Sequence, residues 1–128
     1  MANRKPPRPT DAELTILRVL WQRGHSTVRQ VVDQLSRDRP TGYTTVLKQL
    51  QIMTEKRLVL RDERQRSHVY RAALPEARTQ RQLVGELLER AFGGSARKLV
   101  VQALAAKKAS PAEIAEIRKL LDELEGES

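Results

Sequence analysis

The first regular pattern in the chain starts at Thr10-Asp11-Ala12-Glu13, a capping box in which threonine and glutamate side chains each satisfy a free backbone N–H. Behind it Leu14, Leu17, Leu20 and Trp21 recur at helical spacing, with Ile16 and Val19 widening the apolar face. Gly24 ends this helix. Ser26 or Thr27 caps a second, shorter one with Val28, Val31, Val32 and Leu35 along one edge. A loop over 36–42 contains Pro40 and Gly42, and Thr41 is the expected cap of a third helix. There Val46, Leu50 and Met53 make one apolar stripe, and Thr44, Lys48 and Gln51, with Thr45 beside them, make the opposite face. Leu58 to Leu60 and His68 to Arg71 read as two strands of a hairpin. Its tip, Arg61-Asp62-Glu63-Arg64-Gln65-Arg66, carries three arginines.

After Pro75 the pattern becomes wholly helical. Residues 77–92 hold Leu83, Val84, Leu87, Leu88, Ala91 and Phe92 on a broad apolar face, and Gly93-Gly94 breaks it. Leu99, Val100, Val101, Ala103 and Leu104 follow in a second helix. Ser110-Pro111-Ala112-Glu113 caps a third, with proline at the first helical position, where no N–H is missed. That helix sets Ile114, Ile117, Leu120, Leu121 and Leu124 on one side. Three such helices have little chain to fold back on. Their apolar faces call either for a second copy or for packing as a helical cap on the N-terminal part.

The predicted architecture is mainly α. Three short helices and a small β-hairpin wing form a winged helix-turn-helix, followed by a helical dimerisation domain. The expected divisions are a disordered basic N-terminus at 1–9, a winged-helix domain at 10–75 and a helical domain at 76–128. In a winged helix the first two helices present the third, whose N-terminal part enters a major groove. An ordinary amphipathic helix with a solvated hairpin would show the same pattern. Charge separates the two readings.

The net charge is +8, and its distribution is uneven. Residues 1–75 hold fifteen Lys and Arg against seven Asp and Glu, whereas residues 76–128 hold nine of each. The entire excess therefore surrounds the third helix and the hairpin. Such a localised field attracts phosphate polyanions and releases their counterions, which favours double-stranded DNA as the partner over a membrane surface.

Little else in the chain carries chemistry. Without cysteine there is no disulfide or thiolate metal site. His25 and His68 lack a second ligand at metal-binding spacing, and no phosphate loop, nucleophile elbow or zinc helix occurs. No enzyme activity, cofactor or metal is expected. The absence of an apolar run of roughly 20 residues or of a signal-peptide core leads to the expectation of a cytoplasmic protein.

Thr10-Asp11-Ala12-Glu13-Leu14, Leu20-Trp21, Tyr43-Thr44-Thr45-Val46, Leu50, Met53, Lys56-Arg57-Leu58-Val59, Val69-Tyr70 and Phe92-Gly93-Gly94 together resemble the BlaI/MecI/CopY family of bacterial repressors. The likeness covers nearly the whole chain. It implies a homodimer that binds palindromic operators and represses transcription. The copper-responsive branch carries a C-terminal cysteine motif that this chain lacks. In the β-lactam-responsive branch a sensor protease cuts an Asn-Phe bond in the helix after the Gly-Gly; the aligned pair here is Gln102-Ala103, a departure from that cleavage sequence. Release by a sensor or other regulatory protease is one outcome the resemblance allows, and the inducing signal stays open. Where the family commonly has Lys-Gly before the wing, this chain has Lys56-Arg57.

Two recognition helices would then enter successive major grooves about one helical turn apart. Thr44, Thr45, Lys48 and Gln51 are expected at base edges or adjacent phosphates. Thr41 and Tyr43 are expected to anchor the helix N-terminus on a phosphate, and Arg64 and Arg66 to reach phosphates or the minor groove from the wing. Dimerisation is expected through Leu83, Leu87, Leu99, Val100, Leu104, Ile114, Ile117, Leu120, Leu121 and Leu124. A small-molecule-responsive winged-helix regulator and a protein that coats nucleic acid without sequence preference are the competing readings.

Overall fold

A computed structural model of the chain describes residues 7–127. Of the stretch expected to be disordered, residues 1–6 lie outside the described residues, and Pro9 is buried immediately before the first helix. Helix α1 (Asp11–Arg23) begins with the expected box: Thr10 Oγ1 accepts from the Glu13 N–H at 3.2 Å, and Glu13 Oε1 accepts from the Thr10 N–H at 2.9 Å. Gly24 ends it at φ 86°, a left-handed conformation that glycine adopts without steric cost. Of the two expected caps for α2 (Val28–Leu35), the structure selects Thr27, in a second capping box with Gln30. Helix α3 (Tyr43–Glu55) follows.

Two elements differ from expectation. Ser26 and Thr27 form a short strand, β1, that pairs antiparallel with the second hairpin strand. The hairpin strands are β2 (Val59–Asp62) and β3 (Val69–Ala72), and the sheet has the order β1-β3-β2. The wing is therefore anchored to the α1–α2 junction, and two residues are too few to show period-2 patterning. Arg61 and Asp62, placed at the tip by sequence, belong to β2 opposite Tyr70 and Val69. The loop that remains is 63–68.

One core joins these elements. Ile16, Leu17, Val19 and Leu20 of α1 pack with Val28, Val31 and Val32 of α2 and Val46, Leu50 and Met53 of α3, closed by Leu58 just before the sheet and by Val59 and Tyr70 within it. Each fully buried aliphatic side chain contributes about 1.5–3 kcal/mol, which fixes the inward stripe of α3 and hence its outward one. Trp21 lies half-buried against this core, its indole N–H donating to the Leu74 carbonyl at 2.9 Å.

At the exit of α3 stands Arg57, the one non-glycine residue of positive φ (64°) among the described residues. Leu58 N–H bonds back to the Met53 carbonyl at 2.9 Å, so Arg57 occupies the left-handed position after the helix that glycine normally fills. Arg57→Gly is expected to stabilise the fold by about 0.5–1 kcal/mol. Chemical denaturation would register this as a raised midpoint at unchanged slope.

The chain divides into two compact units, and the division falls inside helix α4 (Glu76–Phe92), after Leu83. In the second unit Gly93 and Gly94, at φ 56° and 81°, break the helix before α5 (Ala96–Ala106). Helix α6 (Pro111–Gly126) has Ser110 as its cap, accepting from the Glu113 N–H at 3.1 Å. No residue from Val84 to Glu127 is buried in the single chain.

Candidate nucleic-acid interface

Helix α3 presents two faces of opposite character. Val46, Leu50 and Met53 are at most 1% exposed, while Thr44, Lys48 and Gln51 are exposed on the other side. Glu55 ends the same outward stripe, so the helix offers hydroxyls and an ammonium toward its start and a carboxylate at its far end. A polyanion is favoured only near the N-terminal half. Thr45 is exposed at the edge of this stripe and also lines a groove of about 390 Å³ with Ala12, Ile16, Leu35 and Val46.

The start of α3 corrects one expectation. Gly42, not Thr41, is the N-cap, and no side chain bonds to the first turn. Thr41 instead donates its hydroxyl to the Arg39 carbonyl at 3.0 Å, shaping the loop. The physical reason is that Gly42 takes the extended conformation (φ −82°, ψ 143°) required at an N-cap, which moves Thr41 one residue outside the helix. The first N–H groups of α3 are thus left for another acceptor, and the helix dipole favours an anionic one. Tyr43, the first helical residue, is 42% exposed, with the guanidinium of Arg29 lying 4.9 Å from its ring centroid. This cation–π contact ties α2 to the start of α3. Sequence patterning singled out Tyr43 but not Arg29, because the contact crosses between helices.

The wing brings its charges together in pairs. Arg61 Nη2 meets Glu63 Oε1 at 2.7 Å. Arg64 forks onto Asp62, with Nη2 at 2.7 Å from Oδ2 and Nε at 3.0 Å from Oδ1. These bonds, together with the Arg64 backbone N–H, hold the Asp62 carboxyl at about 2, and the carboxylate in turn raises the Arg64 pKa. Arg66 is exposed and has no ion-pair or hydrogen-bond partner among the described residues. The structure therefore separates two arginines that looked equivalent in the sequence.

The expected dimerisation residues divide by exposure. Leu87, Val100, Leu104, Leu120, Leu121 and Leu124 are exposed by 39–57%, and Leu83, Leu99, Ile114 and Ile117 are half-buried. Gln102 and Ala103 are exposed on α5. No cluster of three His, Cys, Asp or Glu residues able to hold a metal occurs among the described residues. No helix among them is long and apolar enough to cross a membrane.

Residues 9–123 match the model of the penicillinase repressor family. The chain belongs to that family. The transcriptional regulator BlaI of Mycobacterium tuberculosis is 42% identical over 67 residues, which cover 52% of this chain and 49% of that protein. The chain thus spans about half the length of the curated relatives it matches. Among solved structures, the DNA-binding domain of the repressor BlaI aligns with a TM-score of 0.51 at 24% identity, over 59% of this chain and 92% of that one. The Bacillus licheniformis BlaI, solved as a monomer in complex with the blaP half-operator, aligns with a TM-score of 0.50 at 25% identity, over 57% and 89%. Helices α1–α3 with the β1-β3-β2 sheet are the winged helix of the penicillinase repressor family.

Proposed function

We propose that this penicillinase repressor family member binds operator DNA as a homodimer and represses transcription in the cytoplasm, without catalysing a reaction. The observation that carries the reading is the outward stripe of α3, Thr44, Lys48 and Gln51, held rigid by a core on the opposite face of the same helix. Supporting it, the B. licheniformis BlaI that shares this fold is described on a half-operator. Lys48 and Gln51 project from the middle of the helix toward base edges. Tyr43, Thr44 and the uncapped first turn meet the neighbouring phosphate, Thr41 stands in the loop beside it, and Thr45 flanks the stripe. Arg66 reaches phosphate from the wing, and Arg64 does so only by exchanging Asp62 for it.

Lys48→Ala is the direct test. A lysine that reads a guanine contributes about 1–3 kcal/mol of discrimination. The variant should therefore lose about 5- to 150-fold in affinity for a duplex selected by the unmodified protein and show relaxed preference at one base pair. Fluorescence anisotropy at constant salt measures both. Unchanged affinity and preference would remove α3 from the groove.

The helices after Leu83 supply the second half of the proposal. Their exposed leucines and valines pair two copies, which places two α3 helices on a pseudo-palindrome. Release follows from anything that breaks the pair, including cleavage by a regulatory protease in the region of Gln102 and Ala103. Both residues are exposed and lie in a helix with no buried residue in the single chain, so local unwinding into an extended substrate is cheap.

The groove behind α3 favours a second reading, a small-molecule effector. It has an apolar floor at Ile16, Leu35 and Val46 and reaches Thr41 and Thr45 at its rim. An effector there would weaken operator binding while the chain stayed intact and dimeric. Proteolytic release would leave a shortened chain on a denaturing gel.

A further inference from the structure

The wing carries its own acid. Along Arg61-Asp62-Glu63-Arg64 two acids lie between two arginines, and the structure pairs them crosswise, Arg61 with Glu63 and Arg64 with Asp62. Asp62 acts in two ways. Its Oδ1 accepts from the Arg64 backbone N–H at 3.0 Å, closing a local turn at the base of the loop. Its two oxygens also take the Arg64 guanidinium in a planar fork, with three contacts between 2.7 and 3.1 Å. Arg64 is thus the most exposed member of the wing ion pairs, at 88% of its side chain, and at the same time neutralised.

We propose that Asp62 is an affinity-limiting counter-ion of the wing, which withholds Arg64 from DNA phosphate. The proposal rests on the DNA-binding reading above. In water an exposed ion pair is a competition between anions and not a lock. A phosphate that recruits Arg64 must displace the Asp62 carboxylate and then lie within a few ångströms of it. One pair is exchanged for another and a repulsion is added, so this arginine releases almost no net counterion. Arg66, without an acidic neighbour in contact, counts fully. Asp62 by itself therefore removes about one phosphate contact from those the wing's arginines suggest. Asp62 sets the sequence-independent part of the affinity without touching the reading face of α3.

Asp62→Asn isolates the charge, because the amide oxygen still accepts from the Arg64 N–H and preserves the turn. Anisotropy titrations of the full chain would use both a selected duplex and a random one, across a salt series. The Asp62→Asn variant is expected to bind both duplexes about 5- to 10-fold more tightly at about 0.1 M salt, with the salt slope steeper by about one and their affinity ratio unchanged. Arg64→Gln is expected to cost less than about 2-fold in the unmodified protein and about 5- to 10-fold when added to Asp62→Asn, the non-additivity of coupled residues. Thermal melting should be the same for the unmodified protein and the Asp62→Asn variant. If the unmodified chain binds the duplexes and the Asp62→Asn variant shows the same affinity and slope, the proposal is overturned. Equal costs of Arg64→Gln in the two backgrounds overturn it as well. A chain that binds no duplex would instead defeat the DNA-binding reading itself.

Discussion

Replacing Leu120 and Leu121 with aspartate is expected to convert the protein to a monomer and to weaken binding to a full operator by about 100-fold or more, while half-operator affinity stays within about 2-fold. The two residues lie on the same side of α6 as Leu124, and all three are more than half exposed in the single chain. Ile114 and Ile117 continue that side at half burial. Each leucine buried at an interface contributes about 1.5–3 kcal/mol, and a symmetric dimer counts every substitution twice. Four carboxylates forced into an apolar contact would exceed the free energy that holds a micromolar dimer, about 8 kcal/mol. The loss on DNA has a different origin. In a dimer the second half-site is bound intramolecularly, at an effective concentration that raises overall affinity by about 10²–10⁴. A monomer loses that factor and keeps its contacts. Sedimentation and anisotropy on full and half duplexes separate the two quantities. If the unmodified protein sediments as a monomer at micromolar concentration, α6 does not pair the copies.

Most of the N-terminal fold was legible in the sequence because its signals are local. Thr10 with Glu13 marks a helix start by side-chain geometry within four residues, as Ser110 with Pro111 does in the second unit. Val46, Leu50 and Met53 declare the inward face of α3 by spacing alone, and all three are buried. The features that escaped depend on contacts between distant segments or on a single backbone angle. Strand β1 exists because Ser26 and Thr27 meet Tyr70 and Val69, more than forty positions away. Helix α3 starts one residue later than Thr41 suggested, because Gly42 holds the extended angles of the cap. Arg29 gives no sign in the sequence that it lies over Tyr43. The pairing of Arg64 with Asp62 did leave a trace, the two acids Asp62 and Glu63 set between Arg61 and Arg64. A count of arginines at the tip passed over it.

Lys56→Met is expected to lower stability by about 2–3 kcal/mol near neutral pH, and this deficit should shrink on acidification. Glu13 is 1% exposed, and Lys56 Nζ sits 2.9 and 3.1 Å from its two oxygens. Lys56 is the C-cap of α3 and Glu13 lies in the first turn of α1, so the pair pins the recognition helix to the helix that supports it. Removing one partner of a fully buried pair costs about 3–5 kcal/mol. The figure is lower here because Lys56 is 37% exposed, and water reaches the ammonium side. Burial pushes the Glu13 pKa up, but hydrogen bonds from Lys56 and the Thr10 N–H outweigh it and leave the carboxyl below its ordinary value of 4.5. A depressed carboxyl stabilises the fold above that ordinary value and loses the contribution as pH falls through the folded one. Without the ammonium, burial dominates and the same carboxyl titrates upward, so protonation relieves the variant where it harms the unmodified protein. Melting curves from pH 7 down to about pH 4 should therefore converge. Glu13→Gln keeps the box with Thr10 and leaves Lys56 free to turn to water, so it should cost less than Lys56→Met. Combining the two removes the stranded charge and should recover most of the loss. A deficit for Lys56→Met that is constant with pH, or a double variant less stable than Lys56→Met alone, would mean that the ammonium fills space at this junction and does not balance a buried charge.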